Sequence, residues 1–298
     1  MNVLIVGGSG FVSGTLARAA LEQGDRVWTV TRGSRRAPEG AISLTADRKD
    51  PLAFRAAIER AGVRWDLAVD CICFVPEDMR QDLEVLPGLA KHFVFISTDF
   101  VFDPEHRVFP QPEESEHYLS EGYGGNKRAC ELLLESGAPA ELRWTVFRPC
   151  HIYGPGSQLG CLPAHSRDPD LLERIRRGEP LRLVGGGHFL QQPILARDLA
   201  RLILAAPECP GAACRIFCAA GPDIVESRRY YEIIARAVGT TIRIEEIPVS
   251  SYRTEHPEHA SFLCHRIYDL DALGDAGLPV PATPLADGLR EHVRSLSG

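Results

Sequence analysis

Tyr123 and Lys127 stand four residues apart in the stretch YGGNK, which opens a helical pattern running to about residue 135. At that spacing the two side chains share a helix face, one turn apart. An ammonium beside a phenol favours phenolate, which lowers the tyrosine pKa toward working pH and suits it to exchange a proton with a hydroxyl or carbonyl. Upstream, FISTDFVFD ends a nearly all-apolar stretch over residues 92–98 with Ser97, Thr98 and Asp99. Polar side chains at the carboxyl end of a parallel strand face the ligand crevice of an open α/β sheet. The Thr98 hydroxyl is thereby expected to reach the same substrate oxygen as Tyr123. Tyrosine and lysine at this spacing are common on helix surfaces, so the pair gains weight only from what precedes it.

What precedes it is a nucleotide-binding pattern. Val3, Leu4, Ile5 and Val6 form an apolar run suited to a strand buried on both faces, and Gly7, Gly8, Ser9 and Gly10 follow at once. Val12, Leu16, Ala19 and Ala20 then recur at helical spacing up to Gly24, and residues 27–31 read as a second strand. Strand, glycine turn, helix and strand let the backbone approach a pyrophosphate and present free N–H groups to it. Gly7, Gly10, Phe11 and Val12 are the expected contacts, with Ser13 and then Gly14 where many such turns carry a third glycine. Where an NAD-selective site has a carboxylate after the second strand, this chain has Thr31 and Arg32, then Arg35 and Arg36. Guanidinium groups suit the 2′-phosphate of NADP, so NADP is favoured over NAD. Asp47 is the candidate for the adenine amino group, and Cys71, near the end of an expected fourth strand over residues 66–74, for a wall of the cofactor cleft.

The remaining elements must hold these residues in place. Asp50 and Pro51 open one helix, residues 76–86 form the next, and the helix of Tyr123 follows the fifth strand. Later segments are a polar helix around residues 170–177, a strand and helix over 192–205, a strand over 214–219, a helix over 229–238, an edge strand over 241–247 and a closing helix over 285–296. Composition is that of an ordinary soluble globular chain, at 44% hydrophobic and 24% charged residues, and nothing reads as a membrane span. A net charge of −7 gives a nucleic-acid partner no global support. The nine scattered cysteines, with Cys71 and Cys73 alternating on the expected strand, read as reduced thiols. With a first strand starting near residue 3, they point to a cytoplasmic protein. No paired metal-ligand spacing appears, so no metal is expected.

In five stretches the chain resembles the extended short-chain dehydrogenase/reductases of the NAD-dependent epimerase/dehydratase group: GGSGFVSG, STDFVFD, YGGNK, RPCHIYGPG and ARDLARLI. The resemblance implies an α/β fold, a Rossmann-type doubly wound parallel sheet with a smaller C-terminal substrate lobe. Residues 1–153 and 190–222 would form the dinucleotide-binding part, and 154–189 with 223–298 the lobe. It also implies a catalytic triad of Thr98, Tyr123 and Lys127, with Ser97, Lys127, Pro149 and His151 beside the nicotinamide end of the cofactor.

Departures from the family patterns bear on the reaction. Dehydratases of the group carry a glutamate where this chain has Phe100, which cannot exchange a proton. STDFVFD is similar to the strand end of dTDP-4-dehydrorhamnose reductases. Where UDP-galactose 4-epimerases place a diphosphate-binding arginine, the matching position is Gln191, with Arg182 or Arg266 as possible substitutes. The expected function is an epimerase or oxidoreductase of a sugar or nucleotide sugar. The alternatives are an NADPH-dependent keto-sugar reductase and, from a similarity over residues 178–202 to chloroplast stem-loop RNA-binding proteins, an RNA-binding role. Extended members of the group often pair through two long helices; here the helices beginning near Pro76 and Tyr123 could form such a homodimer, with Met79, Leu83, Leu132 and Leu133 as an apolar face that could equally pack against the sheet.

Overall fold

A computed structural model describes residues 1–297. The chain runs β1 (Asn2–Val6), α1 (Phe11–Glu22), β2 (Arg26–Thr31), β3 (Ile42–Thr45), α2 (Pro51–Arg60), β4 (Leu67–Asp70), α3 (Pro76–Val85), β5 (His92–Ile96), α4 (Gly122–Gly137) and β6 (Arg143–Pro149). It continues β7 (Ile152–Tyr153), α5 (Leu171–Arg176), β8 (Leu181–Val184), β9 (Leu190–Gln191), β10 (Ile194–Leu195), α6 (Ala196–Ala205), β11 (Arg215–Ala219), β12 (Val225–Glu226), α7 (Ser227–Ala237), β13 (Ile244–Ile247), α8 (Val249–Glu255), α9 (Asp271–Asp275) and α10 (Leu285–Ser295).

One seven-stranded sheet in the order β11-β6-β5-β4-β1-β2-β3 dominates, with every pairing parallel. Successive residues of β1 feed opposite cores, because strand side chains alternate between faces. Val3 and Ile5 pack with Leu16, Ala17 and Ala20 of α1 and Leu199, Leu202 and Ile203 of α6. Leu4 and Val6 pack with Phe54 and Ile58 of α2, Met79 of α3 and Leu134 of α4. A sheet covered on both faces explains why its strands read as continuous apolar runs. The strand order reverses between β1 and β4, and the crevice at such a switch point is where doubly wound sheets take ligands. A third core, around Tyr153, Leu171, Tyr230, Tyr231 and Leu289, belongs to the elements after β6. There β13 pairs with β8 in a small parallel ribbon, starting at Ile244 rather than at residue 241.

One expectation needs correction. The fourth strand ends at Asp70, not near residue 74, so Cys71 and Cys73 lie in the connection to α3. The cause is Asp70 itself: its carboxylate accepts from the Ile72 amide at 2.6 Å, which turns the chain out of the sheet. Of the two uses open to the apolar face of α3 and α4, pairing copies or packing on the sheet, most of it serves the second. Met79 is fully buried, Leu83 and Leu133 pack against the same core, and only Leu132 stays exposed.

Candidate active site

Two adjoining cavities lie along the carboxyl ends of the central strands, sharing Gly10, Ser13, Ile72 and Phe74 in their walls. The smaller, about 530 Å³, is lined by Gly7, Arg32, Arg35 and Asp47 among others. The larger, about 850 Å³, is lined by Phe11, Val12, Cys71, Ser97, Thr98, Tyr123, Lys127, Pro149 and His151 among others. Thr98, Tyr123, Lys127 and the expected cofactor contacts Gly7, Gly10, Phe11, Val12, Arg32, Asp47, Cys71, Ser97, Pro149 and His151 therefore all border this pair of adjoining cavities, whereas Arg36 lines neither.

At the smaller end the backbone explains the glycines. Gly7 and Gly8 adopt φ of +110° and +112°, and a Cβ on Gly8 would sit 2.4 Å from Cγ2 of Thr29. Ser13, in the place of a third glycine, is used locally: the Gly10 amide donates to its Oγ at 3.1 Å, closing the first turn of α1. Arg32 and Arg35 make no hydrogen bond or ion pair with the other described residues, whereas Arg48, in the wall of the same cavity, is buried and paired through both terminal nitrogens. Sequence reasoning missed Arg48. It pairs with Asp70, with Asp82 at 3.1 Å and with the Asp78 carbonyl at 2.8 Å, fastening the Asp47 loop onto α3. The available signal was Asp78 and Asp82, one turn apart on a helix that must face the core.

Helix α4 is fixed from several sides. Glu131 and Arg148 of β6 form a buried two-pronged pair, Nε to Oε1 at 2.8 Å and Nη2 to Oε2 at 2.7 Å, and the Ser97 hydroxyl donates to the same carboxylate at 2.6 Å. The two glycines of YGGNK admit neighbouring backbone: a Cβ on Gly124 would lie 2.0 Å from the Phe100 carbonyl oxygen, and one on Gly125 2.3 Å from the Ser120 carbonyl carbon. These contacts set where Tyr123 emerges, in the first turn.

Lys127 is 2% exposed, and its ammonium donates to the carbonyls of Cys73 at 2.8 Å and Ile96 at 2.6 Å. Burial lowers its pKa. The Tyr123 ring is half exposed and meets Phe100 edge-on at 6.2 Å between centroids. Its phenol pKa is raised, chiefly by burial, with the Thr98 hydroxyl pulling the other way. The expectation that this pKa is lowered is thus not met: desolvation sets the direction, and the Lys127 ammonium is turned to two backbone carbonyls. Thr98, nearly buried, also caps the short turn after β5, its hydroxyl accepting from the Phe100 amide at 3.2 Å. His151 is pushed down to about 4, first by burial and then by the charge of Arg167, so its imidazole is neutral at neutral pH.

Around the substrate end, polar groups expected to be available are engaged. Asp99 pairs with Arg266 and accepts from the Tyr268 hydroxyl. Arg266 also donates to the Ser261 carbonyl at 2.8 Å and stacks over Phe100 at 4.2 Å. Arg266 is thus committed to the fold, and Arg182 is exposed outside the cleft wall. Gln191 is fully buried, and neither polar atom of its side chain has a partner. Arg167, unremarked in the sequence, lines the larger cavity with φ of 55° and without an ion pair or hydrogen bond to the described residues.

A parallel doubly wound sheet whose switch-point cleft carries a glycine turn at one end and a tyrosine, a lysine and a threonine at the other defines a dinucleotide-binding protein of Rossmann type. The chain belongs to the NAD dependent epimerase/dehydratase family, whose model matches residues 3–213. Membership places it among NAD(P)-dependent epimerases, dehydratases and reductases. It is 26% identical over 297 residues to the 2-alkyl-3-oxoalkanoate reductase of Stenotrophomonas maltophilia, covering 91% of this chain and 84% of that one. It is 25% identical over 253 residues to the chloroplast stem-loop binding protein of 41 kDa b of Arabidopsis thaliana; the match covers 80% of this chain and spans only 63% of that protein's length. The structure superposes on UDP-glucose 4-epimerase from Thermotoga maritima, solved with UDP-glucose, with a TM-score of 0.80 at 21% identity, covering 100% of this chain and 99% of that one. Among the described residues, no helix is long and apolar enough to cross a membrane.

Proposed function

We propose that the protein is an NAD(P)-dependent oxidoreductase or epimerase of a sugar or nucleotide sugar, acting through Thr98, Tyr123 and Lys127. The supporting observation is that these three side chains border the same cleft as the glycine turn. The cofactor supplies a hydride acceptor and donor. Gly7, Gly10, Phe11 and Val12 would hold its diphosphate, Asp47 its adenine, and Cys71, Ser97, Lys127, Pro149 and His151 its nicotinamide end. Tyr123 exchanges the proton of the reacting hydroxyl or carbonyl, Thr98 orients that oxygen, and Lys127 holds the nicotinamide ribose. Arg32, with Arg35 beside it, favours NADP over NAD. Residues 1–153 and 190–222 serve the cofactor, and 154–189 with 223–298 the substrate. The absence of a diphosphate-binding arginine at Gln191 leaves Arg167 as the unpaired cation available to an anionic substrate group.

A keto-substrate reductase is the second reading, favoured by the aromatic wall of Phe100, Tyr123 and Phe262. The chain's net charge of −7 argues against an RNA-binding role. Nucleotide sugars and carbonyl substrates offered with NADP(H) and NAD(H) separate the two readings: an epimerase turns over without net cofactor consumption, and a reductase consumes NADPH in step with product. In either case Tyr123→Phe should lower kcat at least a hundredfold; undiminished turnover rejects the assigned chemistry.

A further inference from the structure

The geometry points to a transition-metal site at the rim of the larger cavity, formed by His256, Glu258 and His259, taking a zinc-class divalent cation with one coordination position left open. His256 follows α8, and Pro257 begins a short 3₁₀ turn, Pro257–Phe262. In such a turn, side chains three residues apart eclipse. The His256 and His259 rings accordingly stack, 5.3 Å apart and 21° from parallel, with Glu258 between them in the chain.

The three ligand atoms lie within 4.8 Å of one another. His256 Nδ1 is 3.3 Å and His259 Nε2 3.8 Å from Glu258 Oε1. Tetrahedral zinc with bonds of about 2.0–2.1 Å separates its ligands by about 3.4 Å, so little movement is needed to close the shell. The Tyr252 hydroxyl lies 3.4 Å from the Pro163 carbonyl and 2.9 Å from His259 Nδ1. In the tautomer in which the hydroxyl donates to the carbonyl and Nδ1 donates to the hydroxyl, Nε2 keeps a lone pair on the side of the carboxylate, where a bridging cation can take both. Two imidazoles and one carboxylate are a donor set that zinc takes readily, with water or substrate in the fourth position.

Glu258, Ser261 and Phe262 all line the cavity that holds Tyr123, which puts the carboxylate of the cluster on the wall of that cavity. A second convergence, Asp70, Cys73 and Asp82, differs in kind: the Arg48 guanidinium already provides its positive charge.

The test uses the full chain and metal ion alone, with no assumption about substrate. Zn²⁺ binding is measured by calorimetry, and the Co²⁺ adduct by visible absorption. The wild type should bind one equivalent, and the Co²⁺ spectrum should show d–d bands without thiolate charge transfer. Both histidines are partly exposed, so His256→Ala with His259→Ala should remove the site and leave the metal-free protein folded, with a small drop in melting temperature from the lost Tyr252 and Phe262 contacts. Tyr252→Phe, which removes the hydroxyl shared by His259 and the Pro163 carbonyl, should weaken binding about 10- to 100-fold. Absence of binding, stoichiometry unchanged in the double variant, or a thiolate band assigning the metal to the cysteines would each overturn the proposal.

Discussion

Burial holds the Tyr123 phenol above its ordinary value, so at neutral pH it carries its proton. It is ready to donate in reduction and must lose a proton before it can accept one in oxidation. We predict that kcat/KM for oxidising a hydroxyl climbs about tenfold per pH unit from pH 7 to beyond 9, while reduction stays flat over that range. An oxidation profile that levels off below pH 8 would show a depressed phenol in the working complex. At the other end of the cleft, Arg32 has no partner to lose among the described residues. Arg32→Ala should weaken NADP(H) binding by about 10- to 150-fold, the range of one charge-assisted contact of about 1.5–3 kcal/mol, and leave NAD(H) nearly unaffected. Equal losses for both cofactors in a fluorescence titration would remove the assignment. The sequence already showed these residues as types at spacings. It did not show that the lysine is tied to two carbonyls, because those carbonyls belong to Cys73 and Ile96, 54 and 31 residues away.

Helix α4 behaves as a bracket for the tyrosine it carries. Its height against the turn after β5 is set by Gly124, where an added methyl meets the Phe100 carbonyl at 2.0 Å and backbone cannot swing aside. Gly124→Ala should cost about 1–3 kcal/mol in urea unfolding and lower kcat more than it raises KM, because the helix start must shift. Normal kcat in a folded variant would show that this contact does not position Tyr123. Local chemistry made several element starts legible. Asp50 caps α2, its carboxylate accepting from the Ala53 amide at 3.0 Å, and Pro76 sits in the first turn of α3. The end of β4 was not legible, because an apolar run continues through Cys71 and Ile72, and only the Asp70 side chain ends the strand.

Across the whole molecule, His92 joins β5 to β6 and to the segment leading into β11. Thr145 Oγ1 donates to the Ala212 carbonyl at 2.7 Å, so it accepts from His92 Nε2 at 2.8 Å, and Nδ1 is left buried without a partner. Burial pushes this histidine down to about 4, against an unfolded value of about 6.5. A base with a depressed folded pKa binds more protons when unfolded, so its contribution to stability is complete above pH 6.5 and fades as pH falls toward 4. Between pH 7 and 5 the loss from His92 should be about 2 kcal/mol, read as a drop in urea midpoint, and His92→Gln should flatten that dependence. An unchanged pH slope in the variant would place the acid sensitivity elsewhere.

The parallel sheet, the glycine turn and the stretches that border the cleft were determined by the sequence, because each rests on neighbours within one or two elements: apolar runs, helical spacing, caps and glycine permissiveness. The tertiary structure alone decided which side chains remain free. Asp99 is claimed by Arg266 and Tyr268 more than 160 residues away, Arg48 by three aspartates from two other elements, and Met79 by the core rather than by a partner copy. A charged side chain carries no local mark of the group it will meet across the fold, so pairing of this kind is settled only when the chain closes.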